Sequence, residues 1–411
     1  MKHNRFAKRA VVAALLLVPF LAGAARAQGA ASNLTFEGGE SFTVPFELVD
    51  NRIFVGVWIE GKGPFRFLLD TGGYGGISVE TAKRIGAKLG SEAEARGAGE
   101  GVVKAWETVF KEMRIGNGRT GLVLKDLEFH AFDFSDTRHV FGSETFDGFI
   151  GLPVFSQAVV RVDYGKRLLT FTKPSSFSYA GKVKPVEFEL ERFLPIVRGE
   201  VDGVPSRLGL DTGDRSAFTL KGPFIEEHRL RERYAPKFEA VTGWGIGGPI
   251  RSQVVRLPVL KFAGFEFRET LTRLSLQRSG AFTANDTAGN VGAAVLKRFA
   301  VTFDYPRRRL YFERESQDDR PDPYDRAGLW LSGSADGHAF EVFDVVAHGP
   351  ADEAGLKVGD RVVAVDGKDV ESLKLIATRD GLKDARRKSV RLRVQTGTAT
   401  HEVVLKLRDL V

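Results

Sequence analysis

The chain has 411 residues, more than one ordinary domain needs, and its 43% hydrophobic and 27% charged content is typical of a folded globular protein. It has no cysteine, which excludes disulfide bonds, a thiol nucleophile and cysteine-based zinc sites, and its seven histidines lack the His-x-x-x-His spacing of a catalytic zinc centre. The formal net charge of +7 falls to +2 without the five basic residues of the first 27, so nucleic acid is not a predicted partner.

The first 27 residues are typical of a signal peptide. A basic start is followed by an apolar run over 10–24 and by the small-x-small pattern Ala25-Arg26-Ala27. The apolar run is shorter than the roughly 20 residues that a membrane-spanning helix needs. We therefore predict an exported protein, periplasmic or secreted, with no membrane span after residues 1–27 are removed. An uncleaved N-terminal anchor is the alternative.

The remainder of the chain is patterned for β structure. Runs rich in Val, Ile and Phe alternate partially with polar residues, and glycine-containing turns are frequent between them. Segments that favour helix are short. In chain order, we predict strands over 44–57, a helix over 78–89, a hairpin turn at 163–167, strands over 185–201, a helix over 224–234 and a charged, proline-containing linker over 313–325.

An internal repeat with a fixed offset is the most informative feature. The segment Phe67–Gly72 ends in Asp-Thr-Gly and recurs 141 positions later as Leu208–Gly213, which ends in the same triplet. Three further landmarks recur at the same offset: Gly151 as Gly292, Asp163 as Asp304 and Tyr164 as Tyr305. Two copies of about 140 residues indicate a duplicated half-domain rather than a solenoid. Matching loops of the two halves would face each other across a pseudo-twofold axis.

Asp70 and Asp211 are predicted to act together as an acid–base pair. Each follows an apolar strand and precedes Thr-Gly, where glycine permits a sharp turn and the threonine hydroxyl can bond to the partner loop. Two neighbouring carboxyls resist joint ionisation and share one proton over a wide pH range. The ionised carboxyl can take a proton from water while the protonated one hydrogen-bonds the carbonyl under attack. This chemistry requires neither a metal nor a Ser or Cys nucleophile.

These motifs resemble those of the retropepsin-like and pepsin-like aspartic proteases. The family signature pairs Asp-Thr/Ser-Gly with a later hydrophobic-hydrophobic-Gly triplet, which here is Phe149–Gly151 in the first copy and Asn290–Gly292 in the second. The resemblance covers residues 40–312 and implies a bilobal fold with both halves in one chain, so that a monomer suffices. It implies an aspartic-type endopeptidase that acts on peptides or unfolded proteins without a cofactor. The implied site residues are the catalytic pair Asp70 and Asp211 and their supports Thr71, Gly72, Thr212 and Gly213.

Two positions beside the pair depart from the family pattern. Pepsin-like enzymes often place Ser or Thr after the glycine and retropepsins often Ala, whereas this chain has Gly73 and Asp214. The hydroxyl support of the pair is therefore missing, and Asp214 adds an acid that would raise the pKa values of the pair. Asn290 also replaces the first hydrophobic residue of the second triplet. A non-catalytic exported peptide-binding protein built on the same lobes is the alternative function.

Two glycine-rich segments are candidates for flaps over the substrate. Residues 97–101 begin 27 positions after Asp70, and residues 243–248 begin 32 positions after Asp211. The family covers its cleft with glycine-rich β-hairpins, and ordinary glycine-rich turns are the alternative. The tryptophan of the second segment is predicted to touch the substrate. The flap candidates are Gly99, Gly101, Trp244 and Gly245.

The last part of the chain, residues 327–411, resembles bacterial protease PDZ domains. The resemblance rests on Gly349-Pro350-Ala351, on Ala354–Val362 and on Val365-Asp366-Gly367. PDZ domains bind peptides by adding a strand to a sheet edge. The segment that matches the carboxylate-binding loop is Gly328-Leu329-Trp330-Leu331, in which the tryptophan replaces a small glycine. The implied partner is a C-terminal peptide. The alternatives are a packing or regulatory role, and a self-processing enzyme whose PDZ domain holds its own or a partner's tail.

Together these patterns predict a mainly β protein of two pepsin-like β-barrel halves related by a pseudo-twofold axis, with a small α+β PDZ domain after them. The predicted boundaries are a signal peptide at 1–27, a first lobe at 40–175, a second lobe at 182–312, a linker at 313–325 and a PDZ domain at 326–411.

Overall fold

The computed structural model describes residues 33–142, 144–315 and 320–411. The predicted signal peptide at 1–27 lies outside the described residues. The described part of the chain is mainly β, as the sequence predicts, and contains 29 strands and eight short α-helices. None of the helices in this part is both long and apolar enough to cross a membrane.

The first lobe begins with the strand at Leu34 and contains twelve strands and three helices. Its strands are β1 (Leu34–Glu37), β2 (Ser41–Pro45), β3 (Glu47–Val49), β4 (Arg52–Ile59), β5 (Lys62–Leu69), β6 (Gly75–Ser78), β7 (Glu92–Ala95), β8 (Val103–Gly116), β9 (Gly121–Phe132), β10 (Gly148–Ile150), β11 (Val159–Asp163) and β12 (Leu168–Thr172). Its helices are α1 (Val79–Ile85), α2 (Arg138–Phe141) and α3 (Leu152–Phe155).

The second lobe follows with eleven strands and three helices. Its strands are β13 (Val186–Glu187), β14 (Glu189–Glu191), β15 (Leu194–Val201), β16 (Val204–Asp211), β17 (Phe218–Leu220), β18 (Glu239–Gly245), β19 (Gly248–Phe262), β20 (Phe265–Ser275), β21 (Gly289–Gly292), β22 (Phe299–Asp304) and β23 (Arg309–Arg314). Its helices are α4 (Gly222–Glu227), α5 (Leu230–Tyr234) and α6 (Ala293–Leu296).

The C-terminal domain has six strands and two helices. Its strands are β24 (Leu329–Gly333), β25 (Phe340–Val345), β26 (Arg361–Val365), β27 (Lys368–Asp369), β28 (Ser389–Thr396) and β29 (Ala399–Lys406), and its helices are α7 (Pro350–Glu353) and α8 (Leu375–Gly381).

Helix α1 is bounded by a polar N-cap and a glycine C-cap. In α1, the Ser78 hydroxyl accepts a hydrogen bond from the Thr81 N–H at 2.9 Å and satisfies one free donor of the first turn. The helix ends at Gly86, whose φ of 82° is the left-handed conformation that glycine adopts readily at a C-cap. Strand segments instead alternate: along β2, Phe42 and Val44 are buried while their neighbours are exposed.

Each lobe contains a ring of six strands. In the first lobe the hydrogen-bonded order β9-β6-β10-β5-β4-β8 closes through pairing of β8 with β9. In the second lobe the order β15-β16-β21-β17-β20-β19 closes through pairing of β15 with β19. A closed ring of strands is a barrel, which removes exposed strand edges.

A shared sheet joins the two lobes. Its strand order is β13-β23-β22-β11-β12-β2, and the pairing of β11 with β22 connects a strand of the first lobe to one of the second. Residues of both lobes belong to one continuous hydrophobic cluster, in which the Phe155 and Phe303 rings lie 5.3 Å apart between centroids. The C-terminal domain has a separate hydrophobic core under the sheet β24-β25-β26-β28-β29.

The duplication seen in the sequence reappears in the strand pairing. In the first lobe β5 pairs in parallel with β10, and Leu69 lies opposite Ile150. In the second lobe β16 pairs in parallel with β21, and Leu210 lies opposite Val291. Both pairs are separated by the same 141 positions, so each Asp-Thr-Gly loop leaves its barrel at an equivalent place.

Two predicted boundaries differ from the observed elements. The sequence predicts that the first lobe begins at residue 40, but β1 already pairs with β9 from Leu34 onward. It predicts that the linker begins at residue 313, but Glu313 and Arg314 belong to β23 and pair with Ala300 and Phe299. Their charged side chains are typical of a linker, whereas the backbone is held in the shared sheet.

Phe303→Ala should lower the free energy of unfolding of the two lobes by about 3–5 kcal/mol, because a fully buried ring in the shared sheet would leave a cavity. Chemical denaturation followed by tryptophan fluorescence measures this change. Val109→Ala, at a position 53% exposed on β8, serves as the control and should stay within about 0.5 kcal/mol. Similar small effects in both variants would show that the shared sheet is not part of the cooperative core.

Candidate active site

The two Asp-Thr-Gly loops are joined by four reciprocal hydrogen bonds. The Thr71 N–H donates to the Thr212 hydroxyl at 3.0 Å, and the Thr212 N–H donates to the Thr71 hydroxyl at 3.0 Å. Each hydroxyl then donates to the other lobe, that of Thr71 to the Leu210 carbonyl and that of Thr212 to the Leu69 carbonyl, both at 2.8 Å. Both threonines are almost completely buried. The loops therefore form one unit across the two lobes.

The glycines of the same loops bring the two carboxyls together. The Gly72 N–H donates to Asp70 Oδ1 at 2.8 Å, and the Gly213 N–H donates to Asp211 Oδ1 at 2.9 Å. A Cβ atom on Gly72 would lie 2.8 Å from Asp211 Oδ1, and one on Gly213 would lie 2.5 Å from Asp70 Oδ1. No side chain fits at either position, because each glycine lies directly against the carboxyl of the opposite loop.

The environment favours a protonated state of the pair. Burial raises the pKa of Asp70, and Asp214 adds to this shift. Burial, the charge of Asp70 and the charge of Asp214 together raise the pKa of Asp211 well above its usual value. Because the charge of Asp70 disfavours ionisation of Asp211, the pair retains a proton to higher pH than an isolated carboxyl would.

A buried ion network lies behind the loops and links the two lobes. Arg52 donates to the Gly213 carbonyl at 3.0 Å and to Asp50 at 3.0 Å, while Arg215 of the second lobe donates to Asp50 at 2.6 Å. Burial would raise the pKa of Asp50, but the guanidinium groups of Arg215 and Arg52 outweigh it and hold this pKa well below its usual range. The network fixes the backbone that follows Asp211.

Asn290 supports the second carboxyl. Its side-chain amide donates to Asp211 Oδ2 at 3.1 Å, the oxygen that the Gly213 N–H does not bond. Asn290 is buried, and its Oδ1 has no hydrogen-bond partner among the described residues. The sequence identifies this asparagine only as a departure from the family pattern. The sequence did contain a signal for this role. An amide replaces an apolar residue in the second lobe, where the Asp-Thr-Gly motif is not followed by the usual Ser or Thr.

The first carboxyl has a different neighbour at the equivalent position. Phe149 stands where the second lobe has Asn290, and a Cβ atom on Gly73 would lie 2.9 Å from its ring and 3.2 Å from Asp70 Oδ2. Glycine at this position therefore allows the ring to approach the first Asp-Thr-Gly loop. The two halves of the site are supported by an apolar ring on one side and an amide on the other.

The two glycine-rich segments are hairpin tips, and the tips contact each other. The Gly99 N–H donates to the Ile246 carbonyl, and the Gly101 N–H donates to the Gly247 carbonyl, both at 2.8 Å. A Cβ atom on Gly99 would lie 2.3 Å from the Gly247 carbonyl carbon, and one on Gly245 would lie 2.7 Å from a side-chain atom of the opposite tip. The tips of β7–β8 and β18–β19 therefore approach closely enough to require glycine.

Comparison with known families agrees with this geometry. Residues 55–154 match the family model of aspartyl proteases, and residues 341–396 match that of PDZ domains. The chain contains an aspartyl protease domain and a PDZ domain. The protease match lies within the first lobe and includes Asp70, whereas Asp211 is assigned to the site by its contacts with the first lobe. No curated protein matches the chain.

Trp244 lies between the first lobe and the PDZ domain. Its ring stacks on His139 of α2, with ring centroids 4.6 Å apart. It also packs in a T-shaped arrangement with Phe343 of β25, with ring centroids 5.0 Å apart. The sequence predicts a contact with substrate for this side chain. The structure instead gives the ring two partners from other parts of the chain, which a single-sequence pattern could not identify.

The loop predicted to hold a peptide carboxylate is engaged within the chain. The N–H groups of Gly328 and Leu329 donate to Asp325 Oδ1 at 2.6 and 3.1 Å. Trp330 is buried beneath the Arg379 guanidinium, which lies 4.1 Å from the ring centroid. The final residue of the predicted loop, Leu331, accepts a hydrogen bond from Arg379 Nε through its carbonyl at 2.9 Å. An internal carboxylate thus occupies donors that the sequence assigns to a ligand.

Asn290→Leu should lower kcat about tenfold and move the pH profile of kcat/KM towards higher pH. A hydrogen bond donated to a carboxylate stabilises its charged form, so its loss raises the pKa of Asp211 and retains the shared proton to higher pH. Rates across pH 3–8 with a peptide substrate measure both effects. Stability should not fall, because leucine also removes the unpaired Oδ1.

A structural role alone would leave the pH profile of Asn290→Leu unchanged. Asn117→Leu, in the exposed turn between β8 and β9, is the matched control for the same exchange. It should alter neither kcat nor the profile. An unshifted profile in Asn290→Leu would contradict the role assigned to the amide.

Proposed function

We propose that the protein is an aspartic endopeptidase that hydrolyses peptide bonds with a water molecule activated between Asp70 and Asp211. The observation that carries this proposal is the approach of two half-buried carboxyls, both with raised pKa values, on loops joined by Thr71 and Thr212. Two carboxyls that share one proton can supply both the general acid and the general base of a hydrolysis reaction.

The reaction follows from the state of the pair. The ionised carboxyl removes a proton from water, and the resulting hydroxide bonds to the carbonyl carbon of the peptide. The protonated carboxyl donates to the carbonyl oxygen, which becomes the hydroxyl of a tetrahedral intermediate. A proton then passes to the leaving nitrogen as the carbon–nitrogen bond breaks. The pair titrates as a unit, so the acid and base roles belong to the pair rather than to one residue.

The position of the two hairpins is evidence that the substrate is a peptide or an unfolded protein. An aromatic cluster that includes Phe149 beside Asp70 continues to Trp244 and Ile246 of the second hairpin. The hairpins therefore stand over the same apolar cluster that borders the catalytic loop. We propose that their tips separate to admit an extended chain and that apolar side chains of the substrate bind to this cluster.

The proposal also includes the location and the PDZ domain. The apolar N-terminal segment supports export, to the periplasm or as a secreted protein. The PDZ domain supports recognition of peptides or unfolded segments by addition of a strand. Both members of the pair come from one chain, so a monomer can form the site.

A non-catalytic exported peptide-binding protein remains the second candidate. Gly73 is the observation that favours it, because within the described part of the chain no side-chain hydroxyl or amide donates to Asp70. In that case the same cleft would hold a peptide without cleaving it.

Asp70→Asn and Asp211→Asn should each lower kcat/KM by about 10²- to 10⁴-fold, because an amide cannot take up or share the proton. Cleavage of an unfolded protein across pH 3–8 by the mature chain measures the loss. Asp126→Asn, at an exposed position paired with Lys111, is the control and should retain full activity. Binding of peptide by the native chain without cleavage at any pH would support the second candidate instead.

A further inference from the structure

The edge strand of the PDZ sheet is covered by the protease. β24 lies at one end of the sheet and pairs with β25 on one side. It also contacts α8 of its own domain and α2 of the first lobe. PDZ domains add a peptide strand to an exposed sheet edge. Here α2 lies beside that edge, so an external peptide would compete with a segment of the same chain.

Arg379 of α8 connects the edge strand to α2. Its guanidinium donates to the Leu331 carbonyl of β24 at 2.9 Å, to the Val140 carbonyl at 3.0 Å and to the His139 carbonyl at 2.6 Å. The side chain is buried, so each of these bonds is made away from water. The carbonyls at the end of α2 are thereby satisfied by the PDZ domain rather than by solvent.

Apolar contacts continue the same interface. Ile376 of α8 belongs to the aromatic cluster of the first lobe, together with Phe141 of α2 and Phe149 beside the catalytic loop. Leu375 lies against Gly142, where an added Cβ atom would be 3.1 Å from the leucine Cβ. The PDZ helix thus packs into the cluster that borders the proposed cleft.

The PDZ domain also holds the second hairpin directly. Asp344 of β25 accepts a hydrogen bond from the Val241 N–H of β18 at 2.7 Å and pairs with Arg251 of β19 at 2.9 Å. Next to these contacts, Phe343 meets the Trp244 ring. Both strands of the hairpin are therefore attached to one PDZ strand.

These interactions bear on the opening of the cleft. The hairpin tips are bonded to each other, so an extended substrate enters only if a tip moves away. Movement of β18–β19 would break the hydrogen bonds to Asp344 and separate Trp244 from Phe343. Breaking these bonds raises the free energy of opening, because Asp344 and the Val241 N–H are buried and paired in the closed state.

We propose that the PDZ domain is an internal lock, which binds α2 of its own chain along β24 and holds the second hairpin closed over the protease site. The inference rests on the proposed function, because it assigns regulation to the same cleft. In this proposal the partner of β24 is α2 of the same chain. Ligands that bind along β24 release the lock by displacing α2.

The test weakens the lock in the full chain. Asp344→Ala should speed amide exchange across β18, including the Val241 N–H, and raise kcat/KM about fivefold, the effect of one net hydrogen bond. Arg251→Ala removes the hairpin residue that pairs with Asp344, and it should likewise speed amide exchange across β18 and raise kcat/KM. Asp369→Ala removes an exposed PDZ carboxylate paired with Arg393 and is the matched control. Unchanged exchange in Asp344→Ala and Arg251→Ala would overturn the proposal.

A second arm strengthens the lock. The natural chain has no cysteine, so Gly142→Cys with Leu375→Cys introduces a single pair, and disulfides usually join Cβ atoms about 3.5–4.5 Å apart. The oxidised protein should cleave about fivefold more slowly than the same protein after reduction, which controls for strain at the left-handed Gly142. Equal rates in the two redox states would overturn the lock.

The two proposals fail in different ways. Absence of cleavage by the native chain, with faster exchange in Asp344→Ala, would reject the peptidase and retain the lock. Cleavage that depends on Asp70, with no response of exchange or rate to the interface variants, would reject the lock and retain the peptidase.

Discussion

The central constraint on this molecule is that two carboxyls must stay together where water does not separate them. Like charges at close range repel strongly, and the pair persists because it shares a proton and because the backbone leaves it no room to part. The reciprocal bonds of Thr71 and Thr212 supply that rigidity, and Gly72 and Gly213 allow each loop to approach the opposite carboxyl. The six-stranded rings and the shared sheet hold these loops at equivalent places.

The duplicated halves have nevertheless diverged around the pair. Asp211 receives an amide donor from Asn290, whereas Asp70 has the ring of Phe149 at the equivalent position. Near Asp211, the charge of Asp214 is balanced by Arg273, whose Nη1 lies 3.4 Å from Asp214 Oδ1. An added acid raises the pKa of the pair and an added donor opposes that rise for Asp211. The divergence therefore tunes the shared proton without altering the threonine bonds between the loops.

Local and repeated features were the ones that the sequence could predict. The 141-residue offset, the two Asp-Thr-Gly triplets and the turn-forming residues can be read directly from the sequence, and together with the apolar alternation they predicted the mainly β fold. The network of Asp50, Arg52 and Arg215 could not be predicted. Its two halves are far apart in the chain, and charged residues at such spacing usually lie on the surface.

The same reasoning applies to the PDZ domain. Its fold is marked by local motifs, but the stacking of Trp244 on His139 and the reach of Arg379 to α2 depend on docking between distant segments. Outside the internal repeat, the sequence carries no signal for which distant residues meet. The glycine-rich segments are visible in the sequence, but their partners in the PDZ domain are not.

Linkage adds a consequence to the proposed lock. If contact of β24 with α2 favours the closed hairpin, then opening of the hairpin must weaken that contact by the same factor. A substrate that holds the flaps apart would therefore make β24 easier to reach, and a peptide on β24 would make the cleft easier to enter. Two segments of one unfolded protein could satisfy both sites, and the effective concentration of the second would then exceed that of a free peptide. On this argument the PDZ domain favours long unfolded chains over short peptides, because only a long chain can release the lock with one segment and present another to Asp70 and Asp211.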